Sequence, residues 1–122
     1  ELMHNHVGIF RHADDLALAL AELEKLRERA GRVRVEGSRL FNPGWHLARD
    51  LRSMLIVAEA IARSAQARRE SRGAHSRLDF PGLDDYWGRH NNIVRREGDA
   101  MRLVPSPLPA LPEELQKILA EE

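Results

Sequence analysis

Residues 43–72 carry a helical apolar pattern that few folds can absorb. Asn42-Pro43 opens it, an N-cap residue followed by proline at the first helical position, where the missing N–H costs nothing. At 1.5 Å per residue, a helix over this span is about 45 Å long. Leu47, Leu51, Met54, Leu55, Ala58, Ala62 and Ala65 mark one stripe, and Ile56, Val57, Ala60 and Ile61 widen the arc well beyond it. A helix apolar over so much of its circumference is usually the central member of a bundle, in contact with more than one neighbour. Alanines at 58, 60, 62, 65 and 67 let a neighbouring helix or sheet come close.

A second helix is predicted over 13–30. Leu16, Leu20, Leu23 and Leu26 follow one another at spacings of four, three and three, on one face. Asp14 and Asp15 suit its first turn and Arg27 and Arg29 its last, each complementing the helix dipole. Gly31 is expected as a left-handed C-terminal cap. Leu2, Met3, Val7, Ile9 and Phe10 read as the end of a preceding helix docked on the same core, with Gly8 near its end. The predicted fold is therefore all-α: a three-helix, spectrin-repeat-like bundle over residues 1–72, with an irregular tail over 73–122 packed on the bundle or on other parts of a larger chain.

Within that scheme, residues 32–40 are a connector in which Val33 and Val35 alternate with charge. Leu78, Phe80, Pro81, Gly82, Asp84 and Asp85 read as extended chain and then a turn. Residues 92–96 and 100–104 are two β-like runs around Glu97-Gly98-Asp99, the pattern of a hairpin. Pro105, Pro107, Pro109 and Pro112 argue against regular structure over 105–112, and Pro112 opens a last short helix through Leu115, Ile118 and Leu119. Leu108 and Leu111 suggest a tail laid over an apolar surface.

Composition narrows function mainly by exclusion. With 122 residues, 43% apolar and 31% charged, the chain can close one modest core. Nineteen basic residues balance nineteen acidic ones, which argues against binding nucleic acid or anionic membrane through bulk charge. Without cysteine there is no disulfide framework, thiolate metal site or cysteine nucleophile. No apolar run approaches the ~20 residues of a membrane-spanning helix, and no signal peptide is visible. The start at Glu1, already in helix-like pattern, reads as a cut through a longer protein. Neither GxGxxG nor GxxxxGK[ST] occurs, so no nucleotide-binding loop is recognisable.

Three groups of residues invite a chemical reading. His4 and His6 lie some 200° apart on a helix and cannot share an ion there; with His12, they are better read as solvent-facing or capping side chains. Arg63, Arg68, Arg69, Arg72 and Arg77 face only Glu70 and Asp79 in their stretch, near Trp45, Phe80, Tyr86 and Trp87. That patch resembles a single-strand nucleic-acid surface, but overall neutrality and sparse aromatics favour helix-end and docking arginines. The densest polar segment is residues 70–81. His75 has no evident nucleophile beside it, and Ser71 and Ser76 have no nameable oxyanion donors, so a structural interface is preferred to a catalytic loop. Arg72, Gly73, His75, Arg77 and Asp79 are the interface candidates. Gly73 is expected to end the long helix, with the arginines satisfying last-turn carbonyls and pairing with Asp79 or with a carboxylate elsewhere, so that the segment is loose when the chain is alone.

Glu70-Ser71-Arg72-Gly73-Ala74-His75-Ser76-Arg77, with Asp79-Phe80-Pro81 and Asp84-Asp85, resembles the C-terminal region of the flavoprotein subunit of succinate dehydrogenase and fumarate reductase. The likeness extends outward through Met3, Val7-Gly8-Ile9 and Arg11, through Phe41-Asn42, Trp45, Asp50-Leu51, Met54-Leu55 and Ala58-Glu59, and on to Trp87 and His90. L-aspartate oxidase is a sister family with a similar serine-arginine-glycine segment. The continuation through Asp84-Asp85, Trp87 and His90 favours the dicarboxylate enzymes.

The resemblance implies a three-helix bundle with an irregular tail, belonging to an FAD-dependent oxidoreductase that interconverts succinate and fumarate. It also implies that FAD and the residues acting on the dicarboxylate sit in upstream FAD-binding and capping domains. No catalytic, cofactor-binding or metal residue is therefore assigned to this chain. The implied partners are those domains of the same parent chain and an iron–sulfur subunit, with no nucleic acid and no direct membrane span. The implied location is cytoplasmic, at the inner face of the cytoplasmic membrane through partner subunits. A stand-alone helical interaction module and the equivalent domain of an L-aspartate oxidase are the alternative readings.

Overall fold

The structure is a computed structural model and describes residues 1–120. Its elements in chain order are α1 (Leu2–His6), β1 (Phe10–Arg11), α2 (Ala13–Ala30), α3 (Pro43–Ala67), β2 (Ser76–Arg77), α4 (Asp85–Gly88), β3 (His90–Glu97), β4 (Ala100–Pro107) and α5 (Glu113–Ala120).

The core forms where α2 and α3 lie against each other. Leu16, Ala19 and Leu23 from α2 meet Leu55, Ala62 and Ala65 from α3, and Val7 closes one end. The helices run antiparallel: Ala13 lies beside Gln66 and Ala67, and Arg27 near the other end of α2 reaches back to Glu59. Alanines at 19, 62 and 65 stand at the contact and bring the two backbones close. Both N-termini carry side-chain caps: His12 accepts from the Asp14 N–H, and Asn42 accepts from the Gly44 N–H with Pro43 behind it.

The fold is not all-α, and the described residues contain two long helices rather than three. α1 is five residues long, and its continuation turns into β1, which pairs in parallel with β2 (Phe10 opposite Ser76, Arg11 opposite Arg77). Leu2, Met3 and Val7 do dock on the core, whereas Ile9 and Phe10 point to solvent. α3 stops at Ala67, five residues before the expected end, because the chain turns into the polar segment there. Gly31 caps α2 in the right-handed conformation, with φ −61°, not the left-handed one. Gly73 is left-handed, with φ +57°, but it turns a tight loop in which Arg72 and His75 exchange backbone bonds, well past the helix end. Residues 32–40 form no strand.

The hairpin extends further than its sequence pattern. β3 and β4 pair antiparallel from His90 opposite Pro107 to Glu97 opposite Ala100. Gly98 takes φ +61° at the first position of the two-residue turn, as a type II′ turn requires. Two prolines are accommodated because of register. The Leu108 N–H bonds the Arg89 carbonyl, so bonded pairs recur at every second residue, and Pro105 and Pro107 fall on the outward-facing positions between them. The ribbon is fastened to α3 by Asn92, whose side-chain amide donates to the Ser64 carbonyl at 3.1 Å. Leu108 and Leu111 stay exposed, as do Leu115 and Ile118 of α5.

Candidate functional site: a buried polar knot at the helix ends

Residues 68–80 fold into a knot of charge at the point where the end of α3 meets the start of α2. Its centre is Arg77, 2% exposed. Nε and Nη2 of Arg77 donate to the two carboxylate oxygens of Asp79 at 2.8 and 2.7 Å. Nη1 donates to the carbonyls of Ala65 (2.9 Å), Gln66 (3.1 Å) and Arg68 (3.3 Å). These are carbonyls that the end of α3 leaves without helical partners. Asp79 in turn accepts the N–H of Ala13 at 3.2 Å, the first residue of α2. A cation thus sits on one helix's C-terminus and an anion on the other's N-terminus, each complementing the local dipole and both joined by a two-bond fork.

The second centre was not singled out from sequence. Glu70 is 0% exposed and accepts from Arg68, from Arg72 and from the N–H of Asp84. Burial works against the charge of Glu70, but the bonds from Arg72, the Asp84 backbone and Arg68 outweigh it and lower its pKa to about 2. Asp79 is likewise lowered to about 2, chiefly by the fork from Arg77. Arg72 therefore finds a carboxylate in Glu70 rather than in Asp79, and Arg77 is the arginine that pairs with Asp79. Arg68 spans the knot, donating to the Trp87 carbonyl at 2.7 Å with its guanidinium over the Trp87 ring. Gly88 admits the tip of Arg72: a Cβ there would stand 2.9 Å from its Nη2.

His75 is held between two fixed groups. Its Nδ1 lies 2.6 Å from Arg11 Nη1, a donor, so Nδ1 accepts and Nε2 donates to the Arg68 carbonyl at 3.0 Å. Burial first, then the charges of Arg11, Arg77 and Arg68, lower its pKa, while the bond to the Arg68 carbonyl opposes them. The imidazole is neutral and fully engaged. Ser71 is equally committed: it accepts from the Arg77 N–H, and its hydroxyl lies 2.9 Å from the Phe80 carbonyl as a donor. The side chains of His75 and Ser71 are thus both committed to groups within the knot.

A further buried charge joins the last turn of α2 to α3. Glu59, 7% exposed, accepts from Arg27 across the interface and from Arg63 one turn on, at 2.7 Å. The i, i+4 spacing of Glu59 and Arg63 was the sequence signal for it. Of the amino-terminal histidines, His6 pairs with Asp15 at 2.9 Å, His12 caps α2, and His4 is exposed.

The family model described as fumarate reductase flavoprotein C-term matches residues 1–116. The chain belongs to that family. Among its curated relatives, the fumarate reductase flavoprotein subunit of Mycobacterium tuberculosis is 39% identical over 98 residues, covering 80% of this chain and 17% of that protein. The succinate dehydrogenase flavoprotein subunit of Coxiella burnetii is 41% identical over 104 residues, 84% of this chain and 18% of that protein. Sdh1 of Mycobacterium smegmatis, solved in complex with UQ1, superposes on 97% of this chain and 20% of its own, with TM-score 0.89 and 38% identity. A quinol–fumarate reductase solved with menaquinol covers 91% of this chain at TM-score 0.79 and 35% identity. The chain thus spans about a fifth of the length of these family members. The two curated relatives are described as flavoprotein subunits, and a further relative carries the description FAD-dependent oxidoreductase. The residues here do not fit the flavin's pyrophosphate, which needs a glycine-rich strand-to-helix turn with an open helix N-terminus. The parallel pair is two residues long on each strand, and the starts of α2 and α3 are already capped by their own side chains. Among the described residues no helix is long and apolar enough to cross a membrane.

Proposed function

We propose that this chain is the C-terminal structural and docking region of an FAD-dependent flavoprotein that interconverts succinate and fumarate. The flavin and the dicarboxylate are held by FAD-binding and capping domains of the same parent chain, and none of the present residues acts on either. Residues 1–72 and 73–122 work as one unit, with a bundle-like platform completed by docking. Arg72, Gly73, His75, Arg77 and Asp79 fix the exit path of α3 and so set the shape of the docking face. An iron–sulfur subunit is the further partner proposed, with placement at the cytoplasmic side of the membrane through partner subunits.

The observation that carries this reading is a second apolar face on α3. Leu47, Met54, Val57 and Ile61 line up beside the buried stripe, and all four are exposed. The wide apolar arc asks for a neighbour beyond α2, and a contiguous exposed face of this kind marks an interaction site.

The test is made in the full-length flavoprotein. Val57→Asp is expected to reduce assembled, flavin-loaded protein several-fold, with turnover per bound flavin within about threefold of the parent. Normal assembly together with a thousandfold loss of turnover, about 4 kcal/mol in the barrier, would place the face in the chemistry instead.

A further inference from the structure

A cleft of about 800 Å³ opens on the other flank of α3, between its last turns, α4 and the outer side of β4. We propose that this cleft binds an extended, acidic segment of another polypeptide. The inference goes beyond the docking face, which lies on the β3 side, and does not depend on it.

The cleft is rich in unused donors. Arg69 has no carboxylate within ion-pair distance among the described residues, and its guanidinium stands over the Phe80 ring at 5.9 Å. Arg63 commits only Nε to Glu59, and its two terminal nitrogens have no hydrogen-bond partner among the described residues. The Tyr86 hydroxyl and the Trp87 indole N–H make no hydrogen bond among the described residues, and both side chains line the same space. Asp79 is the one carboxylate in the lining, and both its oxygens are taken by Arg77. Excess positive charge with aromatic walls favours a carboxylate-bearing ligand.

Backbone geometry selects a polypeptide over a small anion. Met101 and Leu103 form the far wall, and both lie opposite β3 residues at non-bonded positions of the ladder, so their N–H and C=O groups point outward along the β4 edge. No described group bonds them. Such an edge is a template for a further strand. Pro105 and Pro107 occupy the next two outward positions and offer no N–H, so an added strand gains donors only from Met101 and Leu103. That confines it to the end of the edge that lines the cleft with Arg63 and Arg69. A small dicarboxylate or a phosphate would use the arginines but not the edge.

The probe is a synthetic pentapeptide alternating valine with glutamate, blocked at both ends and titrated into the 122-residue chain at low salt. Amide and indole NMR shifts and hydrogen exchange are followed. The expected result is a shift of the Trp87 indole and slowed exchange at the Met101 and Leu103 amides. The glutamine-for-glutamate peptide should bind at least tenfold more weakly, as should the acidic peptide to Arg69→Gln. Arg63→Gln is the second variant, and unchanged circular dichroism identifies variants that are folded. Equal binding of the two peptides, or full affinity in both folded variants, overturns the proposal. So does saturation by succinate or inorganic phosphate that blocks the peptide while the two amides exchange freely, which would make this a small-anion site.

Discussion

Arg77 shows why a guanidinium and not an ammonium stands at the helix junction. Two bonds run from Nε and Nη2 to a carboxylate, and the two hydrogens of Nη1 are shared among three carbonyls in a different direction. Replacing it by methionine keeps much of the volume but leaves Asp79 and the end of α3 unpaired and shielded. Loss of one partner of such a buried pair typically costs about 3–5 kcal/mol. Urea unfolding of Arg77→Met should show a loss in that range, and Arg77→Lys should recover only part of it. A loss under about 1 kcal/mol would mean that water replaces the missing bonds. The carboxylates make a pH prediction. Glu70 and Asp79 titrate near 2 in the folded chain, below their ordinary values of 4.5 and 3.8. Their contribution is complete above the unfolded values and is lost as pH falls from about 4.5 towards 2, because the unfolded chain binds the protons first. Thermal stability should therefore be flat in this respect from neutrality to about pH 5 and fall below it. Glu70→Gln should fall less steeply over the same window while starting from a lower stability. An identical acid slope in the variant would show that Glu70 is not the group responsible.

At the scale of elements, burial separates residues that the sequence pattern grouped together. Leu16 and Leu55 are buried in the α2–α3 contact, Leu51 lies half-buried at its rim, and Leu47 and Met54 of the same predicted stripe face solvent. Leu16→Ala and Leu55→Ala should each cost about 2–5 kcal/mol, whereas Met54→Ala in the isolated chain should cost under about 0.5. Chemical denaturation of the three variants checks the ranking; a cost for Met54→Ala equal to that for Leu55→Ala would erase the distinction between the two faces. What was legible in sequence was local. The 3.6-residue spacing of Leu16 to Leu26, Asn42-Pro43, and Glu97-Gly98-Asp99 each state their conformation within a few residues. What was not legible depends on distant partners. The length of α1 is cut by the pairing of β1 with β2, 66 residues on, and the prolines of β4 are harmless only in the register that the whole ribbon adopts. Glu70 looked like one counter-ion among five arginines, because charge counting along the chain cannot say which carboxylate will be enclosed.

Across the described residues, one packed seam is set against a broad exposed apolar surface. Its core is a single seam between two helices, closed at one end by Val7 and at the other flanked by the Glu59 ion pairs, with the polar knot tying the helix ends. Leu47, Met54, Val57 and Ile61 form an apolar face beside the buried one; Asn92, Val94 and Met101 of the hairpin stand near Val57 and Ile61 but leave both exposed. Water against such a face is a standing free-energy cost that association removes, at roughly 25 cal/mol per Å² covered. In the isolated chain the readiest cover is another copy. Sedimentation velocity should therefore show concentration-dependent self-association that weakens at low temperature, as apolar contacts do. Val57→Glu with Ile61→Lys should restore a monomer without lowering the unfolding midpoint, because neither side chain belongs to the α2–α3 seam. If the parent chain stays monomeric at several hundred micromolar and binds no hydrophobic dye, the face is screened by its own hairpin in solution, and the docking role assigned to α3 must move elsewhere. If the double variant is monomeric but unfolds earlier, the same face is part of the core, and α3 has one continuous buried surface rather than two.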